Sequence, residues 1–186
     1  MRRTALALAM LVAGAAPAAA QDRPPPLPTR DVAVTYRIAG GREMRIAWLS
    51  GEQRMRVDMP EGQGAMIMDL RERRAFLVMD AQRAVMEIPA GGSLPQPGQI
   101  PPNARLTREG SDRVAGHACT VWQVQEQDGR RGSACVTADG VLLRARGPDG
   151  AEGIEATRVA YGPQDPARFR PPADYRTESM RMPPRR

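Results

Sequence analysis

The amino-acid sequence predicts an all-β protein, built on an antiparallel sheet of about ten strands with little helix. Short segments alternate apolar and polar residues, which is the pattern of strands that bury one face. The links between these segments are short and polar, so successive strands pair antiparallel because no crossover helix fits between them. Beyond the first twenty residues, little of the sequence has helical periodicity.

Six strand segments follow one another in the first half. They read DVAVTYRIA, REMRIAWLS, RMRVDM, AMIMDL, AFLVMD and AVMEIP. The pair Gly40-Gly41 is typical of the turn of a hairpin. Residues two apart in a strand share a face. The apolar face of the first four strands is predicted to carry Val32, Val34, Tyr36, Ile38, Met44, Ile46, Trp48, Met55, Val57, Met59, Met66, Met68 and Leu70.

The second half predicts four more strands. VAGHACTVWQVQE forms one of them, with Cys119 and Trp122 on opposite faces. ACVTADGVLLRARG gives two strands split at ADG, and GIEATRVAYG gives the last, with a bulge near Arg158. DPARF predicts one helical turn behind Asp165.

The first twenty residues have the pattern of a signal peptide. Arg2 and Arg3 precede an apolar run that ends in small residues, so cleavage is expected after Ala20. No second apolar run is long enough to cross a bilayer, so no transmembrane segment is expected in the mature chain. The sequence therefore predicts an exported, periplasmic protein.

Three segments interrupt or flank the β domain, which is predicted to span residues 31–175. Residues 21–30 form a proline-rich leader, which favours an extended chain. Residues 90–103, AGGSLPQPGQIPPN, form a long loop that is either a flexible surface segment or a flap over a site. Residues 176–186 are predicted to be a disordered cationic tail, either solvated or attracted to anionic headgroups.

Two cysteines occur, Cys119 and Cys135, and both lie in the exported part. An even pair in an oxidising compartment predicts a disulfide, which is worth about 3 kcal/mol for a loop of this size. Direct opposition of the two residues would require the intervening hairpin to centre on Gln127 with a loop of odd length, or else a bulge. The looser loop of odd length is favoured, because a disulfide tolerates only about 7 Å between the two Cα atoms.

Several classes of function are disfavoured by the composition. Every basic residue of the chain is Arg, and these residues are dispersed among Asp and Glu, so nucleic-acid binding is not expected. His117 is the only histidine, and no catalytic or phosphate-binding motif accompanies it. We therefore expect no enzyme activity, no catalytic residue, no metal site and no cofactor.

Seven of the eleven methionines lie between Met44 and Met86. Three interpretations compete for this enrichment. Methionine fills irregular cores, and it also lines adaptable surfaces that bind varied apolar ligands. Thioethers two apart on a strand, as at Met66 and Met68, are also suited to Cu(I), although the only histidine is far away in sequence.

The sequence resembles the Lol-type (LolA/LolB-like) periplasmic lipoprotein carriers and uncharacterised exported bacterial proteins related to them. The similar features are the opening DVAVTYRIAG, the segments RMRVDM and MIMDL, and the pair VAGHACTVW and ACVTADGVLLR. The resemblance covers about residues 31–175. It implies a strongly curved antiparallel half-barrel whose concave face holds acyl chains or other lipids.

Together these observations predict a non-enzymatic periplasmic binding protein with an apolar concave face for a lipid or a lipoprotein acyl chain. The alternative is an envelope structural or protein-interaction module, binding an envelope protein, whose methionine-rich core is closed. The candidate ligand-binding residues are Tyr36, Met44, Trp48, Met55, Met59, Met66, Met68 and Trp122.

Overall fold

The structure is a computed structural model that describes residues 23–88, 99–147 and 153–179. It confirms the predicted fold class, because twelve strands form one curved sheet that does not close. The predicted signal peptide, residues 90–98 of the long loop and residues 180–186 of the tail lie outside the described residues. No helix in the described part of the chain is long and apolar enough to span a membrane.

Neighbouring strands in the sheet are consecutive in the chain and antiparallel, with two exceptions. The first strand pairs antiparallel with β11, and the last strand pairs parallel with β6. Across the sheet the order is β12-β6-β5-β4-β3-β2-β1-β11-β10-β9-β8-β7. The bounds are β1 (Val32–Arg37), β2 (Glu43–Leu49), β3 (Arg54–Asp58), β4 (Ala65–Asp69), β5 (Arg74–Met79), β6 (Ala84–Ile88), β7 (Arg105–Val114), β8 (His117–Gln125), β9 (Arg131–Val136), β10 (Leu142–Arg146), β11 (Ile154–Tyr161) and β12 (Arg176–Ser179).

All ten predicted strands are present, and β7 and β12 are two that the sequence did not predict. They are the two edges of the sheet. Within β7 only Val114 is buried, so the strand lacks the apolar alternation that marks a half-buried strand. β12 pairs parallel with β6, which makes the sheet mixed. Residues 176–179 therefore belong to the sheet, in contrast to the disordered tail predicted from residue 176.

One face of the sheet carries the main core, and we call it the inner face because both halves of the chain contribute to one cluster there. Its apolar side chains come from β1 to β5 and from β7 to β11. The buried residues of this inner cluster are Val32, Val34, Tyr36, Ile46, Trp48, Met55, Val57, Met68, Ala75, Val114, Cys119, Cys135, Val141, Leu143 and Ala156.

The opposite, outer face is covered locally by irregular segments. The predicted helical turn is a 3₁₀ helix over Pro166–Phe169, and the Asp165 carboxylate accepts the Ala167 N–H at 2.9 Å. It buries Phe169 against Ala33, Ala47 and Leu49. The predicted bulge near Arg158 is also present, because Thr35 pairs with Arg158 and Tyr36 with Ala156.

Cys119 and Cys135 form a disulfide with Cα atoms 5.4 Å apart. The hairpin between β8 and β9 has a loop of odd length, as predicted, but it centres on Asp128 because Gln125 pairs with Arg131. Cys135 is directly opposite Val121, so Cys119 is its diagonal neighbour on the same face. Diagonal residues lie close enough to be bridged when the strands are twisted.

Replacing both cysteines by alanine is expected to lower the free energy of unfolding by about 2–4 kcal/mol, because the unfolded chain gains entropy. Denaturant titration of the variant and the wild-type protein measures the difference. The denatured, unreduced wild-type protein should contain no free thiol. A free thiol in that sample, or equal stability of the two proteins, would contradict the disulfide.

Candidate functional site

The structure brings most of the predicted ligand-binding residues together, but inside the protein. Met55 and Met68 are 0% exposed, Tyr36 is 2% exposed and Trp48 is 4% exposed. Met44 and Met66 are half-buried and pack against the same inner cluster. Met59 is half-buried beyond the end of β3 and is not part of that cluster.

Polar contacts within the inner face are consistent with a closed core. The Tyr36 hydroxyl donates a hydrogen bond of 2.6 Å to the Leu142 carbonyl, where β10 departs from regular pairing. Burial raises the pKa of Tyr36 far above its usual value, with a smaller contribution from Tyr161. This hydroxyl is therefore a fixed donor that ties β1 to β10 across β11.

Trp122 lies on the other face of the sheet, away from Trp48. Within β8 the side chains alternate, and Cys119 points into the inner cluster. Trp122, three residues later, therefore belongs to a separate cluster on the outer face. The buried members of this outer cluster are Ala104, Trp122, Val124, Ala134, Val136 and Leu142. The prediction that one apolar surface includes both tryptophans does not match this arrangement.

The outer cluster forms the floor of a groove. Three cavities of about 290, 260 and 180 Å³ lie along the outer face of β8 to β10. The first two share Gln99, Ile100, Pro101 and Leu142, and the first and third share Arg23, Pro24, Pro25 and Val136. We call this row of cavities the outer groove. Its floor consists of Trp122, Val124, Ala134, Val136, Leu142 and Ala145.

Two straps cross the outer groove, one from the proline-rich leader and one from residues 99–104. The Arg23 guanidinium links them by donating a hydrogen bond of 2.8 Å to the Ala104 carbonyl. The leader lies directly on Gly140, where an added Cβ would be 2.6 Å from the Leu27 carbonyl oxygen and 3.1 Å from the Pro25 Cβ. Glycine at this position therefore allows the leader to approach the turn between β9 and β10.

Asp139 fixes the end of the leader. Its carboxylate accepts hydrogen bonds of 3.1 and 3.0 Å from Arg30, 3.0 Å from the Tyr161 hydroxyl and 2.6 Å from the Thr137 hydroxyl. Its carbonyl oxygen accepts the Thr29 N–H at 2.9 Å. Burial raises the pKa of the Asp139 carboxyl, but these side-chain hydrogen bonds outweigh burial and hold the pKa below its usual value.

We call the contacts of Asp139 with Thr29, Arg30, Thr137 and Tyr161 the latch. The only histidine of the sequence, His117, lies beside it. The His117 ring meets the Tyr161 ring edge-on, with centroids 5.6 Å apart, and the Arg30 guanidinium lies 4.2 Å from the centroid of the same tyrosine. These contacts show that His117 packs against Tyr161 at the hairpin between β7 and β8. Among the described residues, no group of three or more His, Cys, Asp or Glu side chains is arranged to hold a metal ion.

The outer groove was not predicted from the sequence, although two features of the sequence indicate a covered apolar surface. VAGHACTVWQVQE is apolar on both faces, since Trp122 and Val124 oppose Cys119 and Val121. Both proline-rich segments, the leader and residues 99–102, also carry side chains able to cover an apolar surface. Neither signal says that the two segments meet, because their meeting depends on the tertiary fold.

Comparison with known proteins gives likeness of fold without likeness of sequence. No protein-family model matches the chain, and no curated protein sequence matches it. An uncharacterized conserved protein from Thermus thermophilus is similar in structure, with a TM-score of 0.59 and 16% identity. That match covers 82% of this chain and 91% of the Thermus protein.

Two solved complexes of MucB with MucA are also similar in structure. In one, MucB in complex with MucA(peri), the TM-score is 0.52 at 16% identity, covering 81% of this chain and 57% of the other. In the other, from Pseudomonas aeruginosa, the TM-score is 0.53 at 16% identity, covering 83% and 62%. The chain therefore spans about three fifths of these neighbours and shares the fold of that part.

Substitution of Gly140 tests the contact between the leader and the sheet. Gly140→Ala and Gly129→Ala both place alanine at a positive φ, +89° and +87°, which costs about 1–2 kcal/mol in either case. Only Gly140→Ala also pushes against the leader, because nothing lies within 4 Å of a Cβ at Gly129. We expect Gly140→Ala to lose more unfolding free energy than Gly129→Ala. Amide exchange at Thr29 should become faster in Gly140→Ala and stay unchanged in Gly129→Ala. Equal effects of the two variants would disprove the contact.

The latch at Asp139 predicts a dependence of stability on pH. Because the folded pKa is below the unfolded value of about 3.9, the stabilisation is present above that value and is lost as pH falls through the folded pKa. Asp139→Asn should therefore be less stable than wild type at pH 7, with a difference that shrinks in acid. Denaturant titration at several pH values measures it.

Glu109→Gln is the control for the latch, because Glu109 is exposed on β7 and makes no hydrogen bond or ion pair within the described ranges. It should follow the wild-type stability at every pH. A stability difference for Asp139→Asn that stays constant down to pH 2 would rule out the latch.

Proposed function

We propose that the protein is a periplasmic protein-interaction module that catalyses no reaction and binds an envelope protein through the outer groove. The proposal rests on the difference between the two faces of the sheet. The inner face is packed with side chains such as Met55 and Met68, while the outer groove is an apolar concavity that solvent can enter. Concave apolar surfaces with a few polar groups are the usual sites of binding.

The structural neighbours support an interaction role. Two solved structures with this fold are complexes of MucB with MucA, so the fold is compatible with binding another protein. The likeness extends over 81% of this chain in one of them and 83% in the other, and so includes most of the sheet. The predicted signal peptide directs the protein to the periplasm, where proteins of the cell envelope are available as partners.

A lipid or acyl chain bound to the inner face is the second candidate. It would have to enter between side chains that already pack on one another, such as Met55, Met68 and Tyr36. Each methylene buried would stabilise the complex by about 0.8 kcal/mol, but opening the core would first expose a similar apolar area. Binding of Cu(I) by Met66 and Met68 is disfavoured by the same packing, because Met68 is fully buried among apolar groups.

Site-specific photo-cross-linking in the native periplasm tests the proposal. Amine-directed reagents are unsuitable because the chain contains no Lys. A photoreactive residue replaces Ala145, which packs on the outer cluster and lines the outer groove. A control carries it at Arg42, which is exposed and outside the groove. We expect a protein adduct from position 145 and none from position 42.

The same preparations are extracted with organic solvent for mass spectrometry. The expected result is no lipid at a level stoichiometric with the protein. Stoichiometric lipid without a protein adduct would replace the proposal by the lipid carrier. The absence of any protein adduct from position 145 would refute the interaction module.

A further inference from the structure

The proline-rich leader has two parts, and the sheet holds them with different strength. Residues 27–30 are held firmly, because Leu27 packs against the inner cluster, Pro28 is buried and the latch binds the two residues that follow. We call residues 23–26 the leader strap. Within the described part of the chain the leader strap makes one hydrogen bond, at its first residue, and its three prolines have no N–H to donate. The leader strap can therefore leave the sheet while residues 27–30 stay bound.

The leader strap covers two of the three cavities of the outer groove. Its prolines line the 290 and 180 Å³ cavities, whose floor includes Trp122, Val136 and Leu142. The 260 Å³ cavity has Ala145 in its floor and no leader residue in its lining. A partner segment that follows the whole groove therefore finds one cavity open and has to displace the leader strap from the other two.

The leader strap is an imperfect cover, because it leaves buried donors without acceptors. Trp122 is 6% exposed and lines the same cavity as Pro24 and Pro25, yet its Nε1 has no hydrogen-bond partner among the described residues. Nε2 of Gln99, which lines the neighbouring cavity, is also buried without a partner. A buried donor without an acceptor is costly. An occupant that supplies oxygen acceptors here makes hydrogen bonds that the leader strap does not make.

The leader strap competes with a partner from within the same chain. Because residues 27–30 stay bound, its effective concentration at the groove is on the order of millimolar. The apparent dissociation constant of a partner is then its intrinsic value divided by the fraction of molecules in which the leader strap is open. A substitution that loosens the leader strap should therefore strengthen binding of the partner.

We propose that the leader strap is an autoinhibitory segment, which occupies the outer groove in the free protein and is displaced when a partner binds. It leaves the floor at Trp122 and Val136, while residues 27–30 remain on the latch. The acceptors that Trp122 and Gln99 lack then come from the partner. This inference rests on the proposed interaction function and adds the regulation of the same site.

The first test follows the exposure of Trp122 and needs no partner. Trp48→Phe leaves Trp122 as the only tryptophan, and acrylamide quenching of its fluorescence reports whether the leader strap is on the floor. Gly140→Ala loosens the leader strap, because its Cβ meets Pro25 and Leu27, and Gly129→Ala is the control of equal φ with no such contact. The quenching constant should be at least about twofold higher in Gly140→Ala, because a larger fraction of molecules is open.

The leader peptide, QDRPPPLPTR, shows whether the groove itself recognises the leader strap. Added in excess to the Gly140→Ala protein, it should return quenching of Trp122 to the value of Gly129→Ala. The control peptide has its four prolines replaced by alanine and should have no such effect. Equal quenching in the two glycine variants, or equal protection by the two peptides, would overturn the inference.

The second test measures binding of the partner in the native periplasm. The photoreactive residue at position 145 lies in the cavity without leader residues, so it reports the partner and not the leader strap. Its adduct yield, relative to the amount of protein, should be at least about threefold higher in Gly140→Ala than in Gly129→Ala. Arg23→Gln removes the hydrogen bond of the leader strap and should also raise the yield, while its control Arg42→Gln, outside the groove, should not.

The two tests separate this inference from the proposed function. Adducts at position 145 whose yield is the same in all four variants, although quenching shows an open leader strap in Gly140→Ala, would overturn autoinhibition while the interaction function stands. No adduct in any variant would refute the interaction function and the inference with it.

Discussion

The whole fold depends on a single sheet burying its own inner face. No helix of ordinary length covers that face in the described residues, so β1 to β5 and β7 to β11 must curve until their side chains meet. Burial of apolar area at about 25 cal/mol per Å² drives this closure. Methionine is suited to it, because a flexible thioether fills the uneven space of a strongly curved sheet. The disulfide between β8 and β9 lies in the same cluster.

Closure of the inner face determines what the outer face is free to do. In the first half the 3₁₀ helix and Tyr175 cover the apolar side chains of the outer face. In the second half the cover is the strap of Pro24, Pro25 and Pro26 with the segment from Gln99. Proline has no N–H, so it lies over an apolar floor without leaving a donor unpaired. Such a strap covers the floor only in part, and the outer groove is the result.

The interior strands could be predicted from sequence because each has one apolar and one polar face, as in DVAVTYRIA. The edge strands could not. β7 reads RLTREGSDRV and is almost wholly exposed, so no periodicity distinguishes it from a loop. Charged residues and a bulge at Glu109 are also what protects an exposed edge from pairing with other chains. The exposed charged residues and the bulge that protect β7 from pairing with other chains are therefore also the reason that its sequence lacks the alternation typical of a strand.

The site shows the same limit. Alternation within β8 correctly separated Cys119 from Trp122, but it could not say which of the two faces inward when both are apolar. The position of the disulfide in the inner cluster decides this, and it depends on the register of β8 against β9 and on the path of the whole sheet. The meeting of the leader with residues 99–104, about eighty positions apart, is likewise a property of the tertiary fold.

Oxidation of the methionines in the native protein tests the central claim most directly. Dilute hydrogen peroxide is added to the folded protein, and sulfoxide at each methionine is followed by mass spectrometry. A closed inner face predicts that Met55 and Met68, fully buried, stay reduced while the half-buried Met59 and Met86 oxidise. Oxidation of Met55 and Met68 as fast as Met59 and Met86 would show that the inner face is open, and would contradict the account.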